Sequence, residues 1–314
     1  MPQQITIFGY GATGRPIAER LAARGDRLRV ATRTRPADLP PHIEHVCCDV
    51  LDADAVRHAL AGSAQAVLAV GFPYDARLWR TVWPRTMTNL VEECASAGTR
   101  LVFIDNLYQL GPQQTPRTEA MALATTGEKP VILAEVTRIW QAARDRVRVA
   151  TLRCTDFYGP GVLVSHLGIQ ALGAVAAGKA AQLLVPPDMP HDFAYVPDIA
   201  RAAVMLLDAQ DEDFGQAWNM PCAPTRTTRA LLALGAATLG EGTRLRTVAV
   251  PFWLLRPLGL IFRFAREVAD VGFTWDRPYI VDGGKFARRF DFTPTPFEIG
   301  IPATVRAFAA ARRD

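Results

Sequence analysis

The chain has 314 residues, 49% of them hydrophobic and 21% charged, with a formal net charge of +4. That length supports one large domain, or a large and a small one, each with a buried core. Basic and acidic residues are interleaved, which excludes a nucleic-acid stripe; the greasiest stretch, 248–264, is broken by Pro251, Arg256, Pro257 and Arg263, which argues against a membrane span. The five cysteines have no C-x-x-C pair, and the chain runs straight into a strand with no signal-like segment. The expectation is a cytoplasmic protein with reduced thiols, no zinc site and a small-molecule substrate.

In chain order, Ile5-Thr6-Ile7-Phe8 reads as a strand that feeds a G-x-G-x-x-G turn at Gly9, Gly11 and Gly14, and then a helix with Ile17 and Leu21 on one face. Gly9 allows a tight turn, Gly11 lets a pyrophosphate approach the backbone, and Gly14 allows close helix–strand packing. Ala12 and Thr13 complete the turn, whose helix N-terminus points at the phosphates. This is the pattern of a dinucleotide site.

Leu28 to Thr32 reads as strand two and runs into Arg33. That strand end faces the adenosine ribose in such a fold, and an arginine there suits a 2′-phosphate, so NADP is expected ahead of NAD. Glu44 to Cys48 reads as strand three. Asp49, followed by Val50, is placed either to accept from the adenine amino group or to cap the next turn, and a helix spans Ala53–Ala61. Ala66 to Val70 is an apolar run expected as strand four, which puts Val70 and Gly71 where ligands bind in open α/β sheets. A helix over Arg77–Ala97 ends on Gly98 as a C-cap. Strand five is Leu101 to Asp105, a helix covers about Val131–Arg144, and strand six is Arg148 to Arg153. Alternating strands and helices predict an α/β fold, a Rossmann-type doubly wound parallel sheet over residues 1–160. Residues 161–314 are expected to form a smaller substrate-binding lobe that also completes the sheet. There Val162 to Ala177 reads as a helix, Phe193 to Val196 as a short strand, and Asp198 as the N-cap of a helix through Leu207.

Four segments now carry a resemblance. Gly11-Ala12-Thr13-Gly14 looks like the glycine turn of the extended short-chain dehydrogenases/reductases, specifically the NAD-dependent epimerase/dehydratase family. Asn89-Leu90-Val91-Glu92-Glu93-Cys94 with Gly98 looks like that family's helix before strand five. Arg153-Cys154-Thr155-Asp156-Phe157-Tyr158-Gly159-Pro160-Gly161 is similar to its R-x-x-N-x-Y-G-P-G segment, and Phe193-Ala194-Tyr195-Val196-Pro197-Asp198-Ile199-Ala200 to its F-x-Y-V-x-D-x-A segment. The family normally adds a Ser or Thr after strand five and a Tyr-x-x-x-Lys pair, in which the lysine lowers the tyrosine's pKa. Here Asn106 takes the serine place, Gly127 and Val131 the other two, and no Tyr-x-x-x-Lys occurs anywhere. The chain therefore resembles an atypical branch.

Tyr108 is the candidate replacement acid. With Asn106 two residues before it in an extended segment, both side chains would point one way, Asn106 to orient a carbonyl and Tyr108 to give a proton. Asp156 stands where the family has asparagine and could bond a substrate hydroxyl or amine, or cap a turn. His191 could reach the pocket or lie on the surface, and Lys129 reads as a solvated residue at a helix start. An apolar run, Phe252 to Phe262, suggests a partly apolar substrate, whereas Arg226, Arg229, Arg256 and Arg263 keep a sugar nucleotide open. The expected function is an NAD(P)-dependent oxidoreductase. An epimerase/dehydratase on a sugar-like substrate and a non-catalytic redox sensor are the alternatives, and the resemblance implies a homodimer.

Overall fold

The structure, a computed structural model, describes residues 4–240, 245–249 and 262–312. The chain forms two compact units. One comprises Met1–Leu110, Ala122–Arg153 and Ile199–Trp218, and the other Gly111–Met121, Cys154–Asp198 and Asn219–Asp314.

The first unit is built on a seven-stranded sheet. Its strands are β1 (Gln4–Phe8), β2 (Arg27–Thr32), β3 (Glu44–Cys47), β4 (Ser63–Leu68), β5 (Arg100–Asp105) and β6 (Val149–Arg153), with Gln216–Asn219 at the edge beside β6. The pairs β1·β2, β2·β3, β1·β4, β4·β5 and β5·β6 are all parallel. Every residue of β1 is buried, as expected of a strand covered on both faces. Thr6 is the polar exception in its middle, and it is satisfied: its hydroxyl donates to Ala59 O at 3.1 Å and contacts Ser63 Oγ at 2.7 Å. The strand order reverses between β1 and β4, which makes the loops after those two strands the topological switch point of the sheet.

Helices α1 (Gly14–Arg24), α2 (Ala53–Leu60), α3 (Ala76–Ala97) and α4 (Glu128–Ala142) complete the unit. Asp52 caps α2 by accepting from the amides of Asp54 and Ala55, and Gly98 ends α3 in the left-handed region at φ 67°. Phe8, Leu68, Met87, Leu90, Phe103, Leu133 and Trp140 share one core. Strand four begins and ends earlier than the apolar run suggests. Ser63 starts it, and after Leu68 the Ala69 amide still bonds Phe8 O at 2.9 Å before the chain turns away.

The second unit has a core of Tyr158, Leu172, Phe193, Leu231, Leu232, Phe297, Ile301 and Val305. Its strands pair in twos: β7 (Asp156–Tyr158) with β10 (Phe193–Tyr195), β8 (Ala181–Leu183) with Thr247–Ala249, and β9 (Pro190–His191) with Arg226–Thr227. The helix expected over Val162 to Ala177 is not continuous; only Ile169–Gly173 and Ala174–Ala176 coil. The reason is local. The Gly168 amide bonds Ser165 O and the Ile169 amide bonds Leu163 O, closing a turn so tight that a Cβ on Gly168 would lie 2.4 Å from Leu163 O. Asp198 is not an N-cap either. It sits inside the first turn of the helix Val196–Leu207, and its carboxylate accepts from the amide and the hydroxyl of Thr295.

Trp140 is one of the largest fully buried side chains, and its indole N–H has no partner among the described residues. Trp140→Ala is expected to cost roughly 3–5 kcal/mol in denaturant unfolding. Trp140→Phe keeps most of the packing and removes an unsatisfied donor, so it should cost under about 1.5 kcal/mol.

Candidate functional site

The glycine turn is built from backbone contacts. Gly9 follows β1 at φ +94°, and a Cβ there would lie 2.6 Å from Ala69 O. A Cβ on Gly14 would lie 2.2 Å from Gly9 O, so the start of α1 rests directly on the carbonyl that leaves β1. Gly11 meets nothing within 4 Å: its side of the turn is open. Thr13 precedes α1 without a side-chain capping bond, and the first turn of α1 holds no acidic residue; the Arg15 amide donates to Gly11 O at 3.0 Å and the Ile17 amide to Thr13 O at 3.3 Å. Close packing at Gly9 and Gly14, an open approach at Gly11 and a helix start free of acidic side chains fit a dinucleotide pyrophosphate.

The neighbouring residues fall into place around the same edge of the first unit. Arg33 follows β2 and is exposed; its carbonyl accepts from Cys47 Sγ at 3.2 Å. Asp49 follows β3. Its Oδ1 accepts from the Leu51 amide at 3.0 Å, so the turn-capping alternative is realised by one oxygen. Val50 is buried and its carbonyl is held by Asn89 Nδ2 at 3.0 Å, which ties the loop after β3 to α3. Val70 is half-buried and Gly71 exposed in the loop after β4.

At the end of β5 the structure corrects the expected geometry. Asn106 and Tyr108 are not in an extended segment; Tyr108–Leu110 is a turn of 3-10 helix. Asn106 Oδ1 accepts from the Tyr108 amide at 2.9 Å and so caps that turn. Only its amide NH2 remains without a partner among the described residues. Tyr108 is half-buried against the main core. Asp105, just before, is buried, with Oδ1 accepting from the Asn106 amide and Oδ2 from Gln109 Nε2, both at 2.8 Å. Burial pushes its carboxyl up to about 6, against the lowering effect of Arg153 and those hydrogen bonds. Lys129 is also corrected: it is fully buried in the first turn of α4, with Nζ 4.3 Å from the Tyr74 ring centre and 5.8 Å from that of Trp79.

In the second unit, Asp156 and His191, chosen separately from the sequence, meet. His191 is fully buried rather than on the surface, and its Nε2 lies 3.0 Å from Asp156 Oδ2. Asp156 caps no turn by its side chain; its carboxylate is 22% exposed. His191 stacks on Trp275 at 4.0 Å and on Tyr279 at 4.9 Å, and Arg117 lies 3.8 Å over the Tyr279 ring. Sequence reasoning missed Arg117 and Trp275, because the stack joins segments 74 or more positions apart and no periodicity links them. Of the arginines noted for a sugar nucleotide, Arg226 is paired with Glu298 and Arg229 with Asp188. Arg256 and the apolar run Phe252–Ile261 lie outside the described residues. Among the described residues no group of His, Cys, Asp and Glu could hold a metal ion, and no helix is long and apolar enough to cross a membrane.

Two outcomes follow from this geometry. Gly14→Ala should destabilise the fold by at least about 1–3 kcal/mol through its clash with Gly9 O, whereas Gly11→Ala should stay within about 0.5 kcal/mol in thermal or denaturant unfolding. Asp105 supplies a pH dependence. Its carboxyl is raised in the fold, so the native state binds the extra proton and stability falls as pH rises from about 4 through about 6. Asp105→Asn keeps an acceptor for the Asn106 amide, and Gln109 can turn its unpartnered Oε1 to the new NH2. Measured as wild type minus variant, on the order of 2 kcal/mol should be lost between those pH values, with a flat difference above them.

The chain matches the model of the NAD dependent epimerase/dehydratase family over residues 5–220. No curated protein matches it in sequence. Among solved structures it is similar to UDP-glucuronic acid 4-epimerase from Bacillus cereus in complex with UDP-glucuronic acid and NAD, with a TM-score of 0.81, 13% identity, and 98% and 100% of the two chains covered. It is similar to dTDP-glucose 4,6-dehydratase from Bacillus anthracis in complex with NAD, with a TM-score of 0.80, 16% identity, and 99% and 98% covered. A third is UDP-glucose 4-epimerase from Thermus thermophilus in complex with NAD, with a TM-score of 0.75, 19% identity, and 98% and 100% covered. At these identities the structures speak for the fold; together with the glycine turn and the family match over more than two thirds of its length, they show that the chain belongs to the NAD dependent epimerase/dehydratase family.

Proposed function

We propose that this chain is an NAD(P)-dependent enzyme acting on a hydroxyl or carbonyl carbon of a sugar-like substrate. The observation that carries the reading is the turn at the switch point: Gly9 and Gly14 pressed against backbone, Gly11 open, and a first turn of α1 without an acidic side chain. A nicotinamide bound there supplies a hydride acceptor or donor. Gly9, Gly11, Ala12, Thr13 and Gly14 would hold the pyrophosphate. Asp49 has its second carboxylate oxygen left for an adenine amino group, Val50 stands beside it, and Val70 and Gly71 would line the nicotinamide half. Arg33, exposed at the end of β2 with no side-chain partner among the described residues, favours a 2′-phosphate, so NADP is the preferred form. The three compared structures hold NAD, which makes NAD the competing form.

Tyr108 is the proposed proton donor, because its hydroxyl is a group of the right chemistry at the end of β5 in a chain without Tyr-x-x-x-Lys. Asn106 fixes the turn that carries Tyr108 and offers its NH2 to a carbonyl oxygen. Asp156 and His191 are the proposed substrate-binding pair. A sugar-like substrate is favoured over an apolar one by the partly open, acceptor-only carboxylate of Asp156 and by the family. A net oxidoreductase is the second reading.

Calorimetric titration of the nucleotide-free protein with NADPH and NADH tests the cofactor site. NADPH should bind more tightly, and Arg33→Ala should weaken NADPH selectively, by about tenfold or more for a lost charged contact. Equal weakening of both, or no binding of either, would sink the reading. UDP-glucose and dTDP-glucose then serve as substrate probes. Conversion with no net change in NAD(P)H absorbance marks an epimerase or dehydratase, and a net change marks an oxidoreductase. Tyr108→Phe should lower turnover by about 100-fold or more while leaving cofactor affinity intact.

A further inference from the structure

His191 presents both ring nitrogens to acceptors. Its Nδ1 is 3.0 Å from the carbonyl oxygen of Thr274, and its Nε2 is 3.0 Å from Asp156 Oδ2. A carbonyl oxygen only accepts, so Nδ1 carries a hydrogen. Nε2 then faces a carboxylate oxygen, and a hydrogen bond there needs a further proton shared by the pair. Imidazole is intrinsically the more basic of the two groups, which puts that proton on Nε2. We propose that His191 is an imidazolium in the resting protein, locked in an internal ion pair with Asp156 that holds Asp156 as an ionised hydrogen-bond acceptor for a neutral ligand hydroxyl.

The surroundings supply the rest. Two aromatic faces, Trp275 at 4.0 Å and an interplanar angle of 2° and Tyr279 at 4.9 Å and 16°, lie against the His191 ring, an arrangement that favours a cation. The charged groups around it are few. Arg117 is fully buried over Tyr279, and none of its side-chain nitrogens has a hydrogen-bond partner among the described residues. Asp192, the next residue along, is buried and accepts from the Val281 amide at 2.8 Å. Asp192 interacts electrostatically with both His191 and Arg117. Arg277 is answered by its own neighbour, Asp276, through two contacts. His166, stacked on Trp275 at 3.9 Å, does not compete for the proton: burial pushes it down to about 3. Burial likewise raises the Tyr279 hydroxyl and the Cys222 thiol, which stay neutral. Burial pushes the Asp192 carboxyl up and the Arg117 guanidinium down, so neither is the counter-charge of Asp156; the imidazole hydrogen-bonded to Asp156 is the group placed to answer it. An imidazolium closes the balance.

The consequence is a specificity. His191 has no exposed surface, whereas Asp156 is 22% exposed and its Oδ1 has no partner among the described residues. A carboxylate answered by an imidazolium exerts little net pull on a ligand ammonium. It offers an acceptor and no donor, so it selects a hydroxyl over a carbonyl at that position. This consequence rests on the proposed substrate site; the ion pair itself does not.

The test uses the full chain, labelled with 15N in its histidines, without cofactor or ligand, at about pH 7, where an isolated histidine is mostly neutral. The His191 ring is assigned through its contacts with Tyr279, which separate it from His166. Two N–H-type ring nitrogens are expected for His191. Asp156→Asn should convert them to one N–H at Nδ1 and one bare nitrogen at Nε2. A bare Nε2 in the wild type overturns the proposal, as does a double N–H pattern that survives Asp156→Asn. Should that variant fail to fold, the wild-type spectrum decides alone. Because no nucleotide is present, failure of the cofactor reading and failure of this one are separate results.

Discussion

The contact between Gly14 and the carbonyl of Gly9 is the constraint on which the first unit turns. The helix start can rest on the strand end this closely only because Gly14 carries no Cβ, and any side chain there would displace one element from the other. The contact sets the angle at which α1 leaves β1. It also brings Gly9 against Ala69, the residue after β4, so the two strands on either side of the reversal are held at the same backbone junction. Gly11 is left facing open space as a result. A surface poised for an anion is thus a by-product of the way the sheet is fastened.

The loops at the same edge of that unit are secured by capping rather than by packing. Asp49 and Asn106 each spend one oxygen on a backbone amide, fixing the loops after β3 and β5, and each keeps one polar atom in reserve. Asp105 shows the cost of such fastening: it satisfies two donors but sits in the core, where ionisation is opposed by lost hydration. Lys129 solves a similar problem differently, with its ammonium against the faces of Tyr74 and Trp79.

The second unit is organised around charge inside an aromatic stack. Arg117, Tyr279, His191 and Trp275 lie ring to ring, and Asp156 and Asp192 approach from the sides. A buried guanidinium and an imidazole at one place are expensive unless answered: the His191 ring has Asp156 and the Thr274 carbonyl, whereas Arg117 rests on the Tyr279 ring with no hydrogen-bond partner for its nitrogens among the described residues. Such a cluster holds one arrangement of the segments that contribute to it, which come from opposite ends of the unit's sequence.

The sequence by itself determined the α/β alternation, the glycine turn and its setting and the Gly98 cap, because each is written in local spacing: a period of two or 3.6, or a glycine where only glycine fits; the family entered through the resemblance of four segments, which the family match bears out. The sequence also pointed to Asp156 and His191 one by one. Only the tertiary structure decided what those residues do to each other. The pairing of Asp156 with His191, the burial of Lys129, the tether from Asp198 to Thr295 and the role of Asn106 as a cap all depend on partners or on a backbone turn that no pattern records. The same holds for the lost helix over Val162 to Ala177, where small residues look helical but the chain closes a tight turn between Leu163 and Gly168 instead. Local propensity is short-ranged, whereas the state of a buried charge is set by whatever the fold places beside it.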